Sequence, residues 1–347
     1  MILLTIRDLG YRMVRFVVVT LLGAVVFALL FVMTGLVEQF NREPFLATDA
    51  LGASAWVLPA GVSGPFTATP SLPADAVGAT DADRVAPVVV ARSSLVDGSA
   101  SEEIVLVGHD ADALGAPPIS EGRAASGDDE AVVDDTLDVG IGTDVEVGGR
   151  RFTVVGHSTD TTILAGLPFV FVSTRAAQDL VFRSSDVISA VLVDGDIRAL
   201  PDGTVAISSD EVAEDTLEPL DGAVASIDLV RALLWMVAAI IVGAVVYLSA
   251  LERQRDFAVL KAVGVSNRQL LGSLAIQAVL VALASVALAA IIQVFLAPAF
   301  PLVVRVPTRA FWQLPVFAVV MALLAGAVGM RRVAHSDPAL AFSGAGG

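Results

Sequence analysis

Residues 16–37 read FVVVTLLGAVVFALLFVMTGLV, a run of 22 residues without a charged side chain. A helix needs about 20 apolar residues to cross a bilayer core of about 30 Å. Three later stretches also lack Asp, Glu, Lys and Arg, at 232–251, 269–304 and 310–330. The sequence therefore predicts four transmembrane helices, at residues 16–37 and at about 231–251, 271–297 and 312–330.

The first apolar run follows Arg7, Arg12 and Arg15, an arrangement that a cleaved signal peptide also has. The apolar core of a signal peptide is typically about 7–15 residues long, and a small-residue cleavage motif follows it. The run at 16–37 is longer, and no convincing A-x-A motif follows it. We therefore expect an uncleaved membrane anchor.

Charge is unevenly distributed along the chain, which has 55% hydrophobic residues, 17% charged residues and a formal net charge of −16. Segment 38–228 contains 33 acidic residues and 9 Arg, whereas the rest of the chain contains 4 acidic and 12 basic residues. Basic residues near membrane ends favour the cytoplasm. The sequence thus predicts a multi-pass plasma-membrane protein with both termini cytoplasmic and segment 38–228 outside. High apolarity argues against a disordered chain, and the acidic balance argues against a nucleic-acid partner.

The external segment is predicted to be a mixed α/β domain dominated by sheet, inserted between transmembrane helices 1 and 2. Its apolar runs are short and rich in β-branched residues, as strands are. These runs are 85–91, 104–107, 145–147, 152–155, 169–172 and 188–193. Residues 144–155 predict a hairpin that turns at Gly148 and Gly149, and residues 175–182 have helical spacing.

Catalytic motifs are missing from the sequence. The chain has no Cys, and its single lysine, Lys261, follows Leu260, so no Walker A loop for ATP is possible. No G-x-S-x-G, S-x-x-K or H-E-x-x-H motif occurs. His109 and His157 have acidic neighbours, but a metal needs more ligands than either cluster offers. We expect no catalytic residue, no metal and no cofactor in this chain.

The segment after the second apolar run reads ERQRDFAVLKAVGVSNRQL at 252–270. Phe257, Leu260 and Gly264 share one face of a predicted helix, and polar side chains lie elsewhere. One interpretation is a charged turn between two membrane helices. The other is a short helix that docks into a groove of a cytoplasmic partner, and an apolar stripe beside the bilayer favours this second interpretation.

Segment 252–270 resembles the signature after the second helix of FtsX/MacB-like ABC transporter permeases. The C-terminal RRVAHSDPALAF at 331–342 is similar to the family's ending. Within the external segment, Glu121-Gly-Arg123, 130–134 and 152–156 are similar to its MacB-like periplasmic core. The resemblance implies an ATPase-coupling role for Glu252, Arg253, Arg255, Asp256, Phe257, Leu260, Lys261, Gly264 and Arg268. It assigns the C-terminal family motif to Arg331, Arg332, Asp337 and Pro338.

The resemblance implies three regions: an N-terminal helix with the first span at 1–37, a MacB-like domain at 38–228, and an FtsX-like permease domain at 229–347. It implies a permease subunit that exports or extrudes a lipid-like, peptide or drug-like substrate. ATP and magnesium would be bound by a separate ABC ATPase, and a second permease subunit would complete the assembly. The alternative is a transducer that activates an external cell-wall hydrolase, with an extracytoplasmic protein as partner. An independent membrane enzyme is a third hypothesis.

Two further patterns are typical of helices in or on a membrane. One is an amphipathic stretch near the N-terminus, and the other is a stripe of small residues. Ile2, Ile6, Leu9 and Met13 lie on one face of a predicted helix that would rest on inner-leaflet lipids, and a simple basic flank is the alternative. Small residues at four-residue spacing allow close helix approach in lipid. Ala318, Ala322 and Gly326 form one such stripe, which would pack either the helices of one protomer or a dimer interface.

Overall fold

The computed structural model describes residues 13–252, 267–300 and 304–334, and the chain divides into two units. The sheet unit is Gln39–Val224. The helical unit comprises the described residues of Met1–Glu38 and Ala225–Gly347. The chain passes from one unit to the other within two helices. In chain order, the α-helices of the described residues are α1 (Met13–Ala50), α2 (Ala76–Ala79), α3 (Thr174–Val181), α4 (Ser209–Leu217), α5 (Asp221–Glu252), α6 (Asn267–Leu296) and α7 (Ala310–Ala334).

Three helical stretches are long and apolar enough to cross a membrane: Phe16–Ala50, Ser209–Ala244 and Ala275–Ala299. In α7 the apolar stretch Ala310–Leu324 is shorter, within the part of the chain that the structure describes. Helices α1, α5 and α7 contain the uncharged runs 16–37, 232–251 and 310–330, and α6 contains residues 269–296 of the remaining run. The count of four membrane spans stays a prediction.

Helix α1 continues past the predicted boundary at residue 37 to Ala50. The reason is a continued apolar face, since Leu36, Phe40 and Ala47 recur at helical spacing and are all buried. The helix ends before Gly52, whose φ of 66° is the left-handed conformation typical after a helix C-terminus. Charged Glu38 therefore does not end the helix, although the uncharged run ends there.

The sheet-rich character predicted for the external segment is confirmed. Of the strands among the described residues, eleven form one sheet, with the order β13-β1-β12-β3-β4-β10-β6-β8-β5, while β7 pairs with β3 and β8, and β9 with β10. Strands β2 and β11 form a small separate sheet. The strands are β1 (Ala55–Pro59), β2 (Leu72–Pro73), β3 (Asp81–Asp97), β4 (Ala100–His109), β5 (Ile119–Gly122), β6 (Glu130–Asp134), β7 (Asp144–Val147), β8 (Arg150–Ser158), β9 (Thr162–Ile163), β10 (Leu167–Ser173), β11 (Val187–Ile188), β12 (Ala190–Ala199) and β13 (Thr204–Ser208).

Two local predictions in this unit are confirmed, and one is wrong. Strands β7 and β8 form the predicted hairpin, with positive φ at Gly148 and Gly149. Helix α3 begins after Ser173, whose side chain accepts a hydrogen bond from Ala176 N. The run 188–193 is not one strand, because Ser189 separates β11 from β12 and its hydroxyl donates to Val90 O.

Hydrophobic cores lie on both faces of the sheet. One contains Ala176 and Ala177 of α3, and the other contains Ala47 and Leu51 with Val212 of α4. Neighbouring residues of a strand point to opposite faces, which explains why successive apolar residues of β10 enter different cores. Phe169 and Phe171 are fully buried in the second core. Burying one such side chain contributes about 1.5–3 kcal/mol.

Candidate functional site

The predicted ATPase-coupling segment lies mostly outside the described residues. Glu252 is the last residue of α5, and Arg268 lies in the first turn of α6. The residues of the segment that lie outside are Arg253, Arg255, Asp256, Phe257, Leu260, Lys261 and Gly264. In the C-terminal motif, Arg331 and Arg332 belong to α7, while Asp337 and Pro338 lie outside the described residues. The roles of both motifs stay predictions.

The small residues of the membrane helices pack within one protomer. Ala318 and Ala322 are fully buried in a cluster with Ala278 and Ala282 of α6. A Cβ added to Gly23 of α1 would lie 2.7 Å from Ser285 Oγ of α6, so these two helices approach closely. The two alanines thus fit the first of the alternatives left open by the sequence. Gly326 belongs to α7, and its surroundings are not described.

The chain enters and leaves the sheet on neighbouring strands. β1 follows α1 and pairs antiparallel with β13, which precedes α4, so that Ala55 lies opposite Ser208. The fully buried Trp56 donates from Nε1 to Ser209 Oγ at 3.2 Å. Ser209 Oγ in turn donates to Ala53 O at 2.6 Å. We call residues 53–56 and 208–211 the junction.

Helix α4 begins at the junction with a reciprocal cap. The Ser208 side chain accepts from the backbone N–H of Glu211, and the Glu211 carboxylate accepts from the backbone N–H of Ser208 at 2.7 Å. These two bonds satisfy donors that a helix N-terminus otherwise leaves free. The pKa of Glu211 is lowered from its ordinary value because the backbone N–H of Ser208, and then its hydroxyl, donate to the Glu211 carboxylate. The cap fixes the start of α4 directly beside strand β1.

A second contact joins α1 to the sheet through Glu43. Glu43 is 2% exposed, and its Oε2 accepts a hydrogen bond from Ala165 N at 3.0 Å. Ala165 lies in the turn between β9 and β10, where Leu164, Ala165 and Gly166 all have positive φ. For the two residues that are not glycine this conformation costs of the order of 1–3 kcal/mol each. Sequence reasoning missed Glu43, because the helix was expected to end at residue 37.

The motifs that resemble the family's external core meet in space. Gly122 of β5 pairs with Gly156 of β8. A Cβ on Gly122 would lie 2.5 Å from Val155 O, and one on Gly156 would lie 2.4 Å from Arg123 O. Glycine is therefore required at both positions, where the paired backbones of β5 and β8 approach closely. The pairing of β5 with β8 thus brings Glu121-Gly-Arg123 and residues 152–156 together.

The same region holds an ion pair between Arg123 and Glu130. Arg123 Nη1 donates to Glu130 Oε2 at 2.8 Å, and the backbone N–H of Ser126 donates to the same oxygen at 2.8 Å. The Arg123 guanidinium, followed by these backbone donors, lowers the pKa of Glu130 to about 2. The pair closes the loop between β5 and β6.

Glu130→Gln is expected to lower stability by about 1 kcal/mol at neutral pH, the usual size for such a partly exposed, charge-assisted bond. Because the folded-state pKa of Glu130 is depressed, the stabilisation is present above the ordinary value of 4.5 and is lost as pH falls toward about 2. The difference between wild type and variant should therefore shrink at pH 3. Urea unfolding followed by Trp56 fluorescence, with Trp235 and Trp312 replaced by Phe, measures it. Glu146→Gln, at an exposed position of β7, is the control, and a variant difference independent of pH would contradict the assignment.

Asp134 is the centre of a buried polar cluster at the end of β6. It is fully buried, and its Oδ2 accepts from Thr161 N at 3.0 Å and from Thr161 Oγ1 at 2.6 Å. Its Oδ1 accepts from Thr136 N at 3.0 Å and from Thr136 Oγ1 at 2.6 Å. The cluster thereby holds Thr161, just before β9. The turn that follows, from β9 to β10, contacts Glu43.

The two histidines of the sheet unit lie apart. His109 is 3% exposed, and burial lowers its pKa. His157 Nε2 lies 2.8 Å from Val139 O. Over the residues that the structure describes, no group of three His, Asp or Glu side chains is placed to hold a metal.

Comparisons with known proteins give the following relatives. Residues 229–338 match the FtsX-like permease C-terminal family. The chain is 42% identical over 348 aligned positions to an uncharacterized ABC transporter permease of Mycobacterium bovis, covering 99% of this chain and 100% of the relative. An uncharacterized ABC transporter permease of Mycobacterium tuberculosis is 36% identical with the same coverage.

Two solved structures are also similar. The periplasmic region of MacB from Actinobacillus actinomycetemcomitans is 13% identical with a TM-score of 0.33, and the match covers 48% of this chain and 93% of that one. The extracellular domain of the noncanonic ABC-type transporter YknZ from Gram-positive bacteria is 15% identical with a TM-score of 0.32. That match covers 42% of this chain and 83% of the other.

Proposed function

This chain belongs to the ABC transporter permeases, and from that premise we propose that it couples a separate cytoplasmic ATPase to movement of the sheet unit outside the membrane. It is a membrane protein with a general role in transport, and a permease is a non-catalytic subunit. Its proposed task is export or extrusion of a lipid-like, peptide or drug-like substrate. ATP and magnesium would be bound by the ATPase, not by this chain.

The proposal rests on helices α1 and α5. Each contains a membrane-length apolar run as well as residues of the sheet unit. Helix α1 includes the uncharged run 16–37 and the buried Glu43, and α5 follows the junction and α4 after one 3-10 turn, Glu218–Leu220. At the junction the strands next to these helices are neighbours, joined by Trp56 and Ser209. A displacement of either helix along its axis would therefore act on two adjacent strands of one sheet.

A second chain of contacts supports the same proposal on the α1 side. Glu43 holds the turn between β9 and β10 through Ala165, and Thr161 just before β9 is held by Asp134. Tightly packed and hydrogen-bonded groups have discrete arrangements and do not deform continuously. We propose that ATP-driven closure of the ATPase biases the sheet unit between two such arrangements.

The proposed assembly contains two permeases and two ATPases. The small residues Ala318 and Ala322 are already used inside the bundle, so another surface would join the two permeases. Helix α5 offers one, because Leu229, Leu233 and Met236 are exposed at helical spacing. Lipid would cover the remaining apolar faces.

Native mass spectrometry of the chain purified from its own membrane tests the assembly. The expected result is a complex of two copies of this chain with two ATPase chains. Reconstituted into vesicles, the complex should move an amphipathic dye or peptide only when ATP is supplied. The transducer hypothesis predicts a stable external protein partner and no such movement. A chain that purifies reproducibly without any ATPase would contradict the proposal.

A further inference from the structure

A cavity of about 560 Å³ lies at the edge of β3 in the sheet unit. One wall contains Phe66 and Val105, which belong to one hydrophobic cluster. Another wall contains Leu106 and Leu180, which belong to the cluster on the opposite face of the sheet. Because Val105 and Leu106 are consecutive in β4, their side chains point to opposite faces. The cavity therefore extends around the strand edge and has apolar walls on both faces.

The hydrogen-bond ladder of β3 is interrupted at this edge. Pairing with β12 ends where Val88 lies opposite Ala190, and pairing with β7 begins at Leu95. Between them the Ser189 hydroxyl satisfies Val90, accepting from its N–H at 2.9 Å and donating to its C=O at 3.1 Å. Gly148 N donates to Ser94 O at 3.2 Å. The N–H and C=O of Val90 and the C=O of Ser94 thus face this edge and have partners there.

Arg92 lies midway between Val90 and Ser94 and lines the cavity. Backbone groups of residues i and i+2 in a strand point the same way, so the N–H and C=O of Arg92 face the gap. In the part of the chain that the structure describes, no strand pairs with Arg92 on this side, because the pairing of β12 ends at Val88 and that of β7 begins at Leu95. An N–H and a C=O on an unpaired stretch of strand can form an antiparallel bridge with the backbone of a second chain.

We propose that this cavity binds a short peptide in extended conformation, whose backbone pairs with the N–H and C=O of Arg92. Alternate side chains of such a peptide point to opposite faces, and the walls near Phe66 and Leu180 receive them. The edge from Val90 to Ser94 is about 13 Å long at 3.3 Å per residue, and Ser189 and Gly148 close its ends. A full strand of a folded partner would collide there, whereas a segment of about three residues fits.

The edge of the cavity is suited to the ends of a peptide. Thr67, Thr69 and Ser93 contribute hydroxyls that can bond to its remaining polar groups. The Arg92 side chain is 55% exposed and lies 3.6 Å from Glu103, so it can reorient toward a carboxylate. Binding at this site is independent of the proposed transport, since it requires neither ATP nor the ATPase.

The test uses random heptapeptides displayed on phage and selected on the full-length chain in lipid nanodiscs. Selected peptides are then synthesised, and their affinities are measured by fluorescence anisotropy. Arg92→Pro removes the N–H at a position where an edge strand tolerates proline, while Arg92→Ala keeps it and is the matched control. We expect Arg92→Pro to lower affinity at least tenfold and Arg92→Ala to lower it less than threefold. N-methylation of the peptide's central residue should also cost at least tenfold.

Leu180→Lys, which alters one wall and leaves the strand unchanged, is the second variant, and it should weaken binding to a similar degree. If Arg92→Pro proves unfolded by its Trp56 fluorescence, then Leu180→Lys and the N-methylated peptides decide the question. Failure to enrich any peptide over empty nanodiscs would overturn the proposal. Equal affinity of the wild type for methylated and unmethylated peptides would overturn it as well. Neither result would affect the proposed ATPase coupling, which is measured separately.

Discussion

Asp134→Ala is expected to destabilise the sheet unit by about 3–5 kcal/mol, because it leaves a buried set of donors without their acceptor. Two backbone N–H groups and two hydroxyls, from Thr136 and Thr161, lose their partner together. The site is fully buried, so water cannot replace the carboxylate without opening the structure. Urea unfolding followed by Trp56 fluorescence measures the change, which corresponds to a midpoint shift of about 1.5–2.5 M for a slope of about 2 kcal/mol per M.

Asp135→Ala is the matched control for this prediction. Asp135 is the next residue, carries the same carboxylate and is exposed, so its removal should change stability by less than about 0.5 kcal/mol. Asp134→Asn should fall between the two, since an amide keeps one acceptor and adds donors where none is needed. Equal stability of Asp134→Ala and Asp135→Ala would show that the cluster is not what holds the end of β6.

Phe257→Asp and Gly264→Arg are each expected to reduce stimulation of the partner ATPase by the permease at least tenfold. Phe257, Leu260 and Gly264 share the apolar face of the predicted coupling helix at 252–268. Loss of one buried apolar anchor from an interface commonly costs about 2 kcal/mol or more, which is roughly a thirtyfold loss of affinity. A charge placed on that face adds the cost of burying it without a partner. The measurement is ATP hydrolysis by the ATPase with the permease reconstituted in nanodiscs.

Ala262→Asp is the control for the coupling segment. Position 262 lies about 140° around a helix from position 257, so the same carboxylate would point away from the docking face. This variant should retain most of the stimulation. Full stimulation in both Phe257→Asp and Gly264→Arg would show that segment 252–268 does not couple the permease to the ATPase. The junction would then have no identified contact with the ATPase.

The strands were accessible to sequence reasoning because their signal is local. Runs such as 104–107 and 169–172 are short, apolar and β-branched, and both lie in buried strands of the sheet. Gly148 and Gly149 indicated a tight turn because glycine readily adopts the positive φ that such a turn needs, and both have positive φ in the structure. The break at Ser189 was not accessible, since it depends on a hydroxyl bonding to Val90, 99 positions away in the sequence.

The contacts that make up the candidate site are long-range, and local pattern does not reveal them. Glu43 and Ala165 are separated by 122 positions, and Trp56 and Ser209 by 153. Glu43 was missed because the sequence analysis ended the first helix at residue 37, where the uncharged run stops. The recurrence of Leu36, Phe40 and Ala47 was a signal that the helix continues. The family motifs were recognisable in the sequence. That Gly122 and Gly156 pair with each other could be seen only in the folded structure.

Labelling at Asp202→Cys tests most directly the central claim, that the sheet unit lies outside the membrane, on the side opposite to the one where the ATPase would act. Asp202 is exposed in the turn before β13, and the natural chain has no Cys, so the engineered thiol is the sole target. Ser343→Cys near the C-terminus provides the opposite control. In intact spheroplasts a membrane-impermeant maleimide should modify Asp202→Cys and leave Ser343→Cys unmodified until lysis. Protection of Asp202→Cys before lysis, with modification only afterwards, would contradict the account.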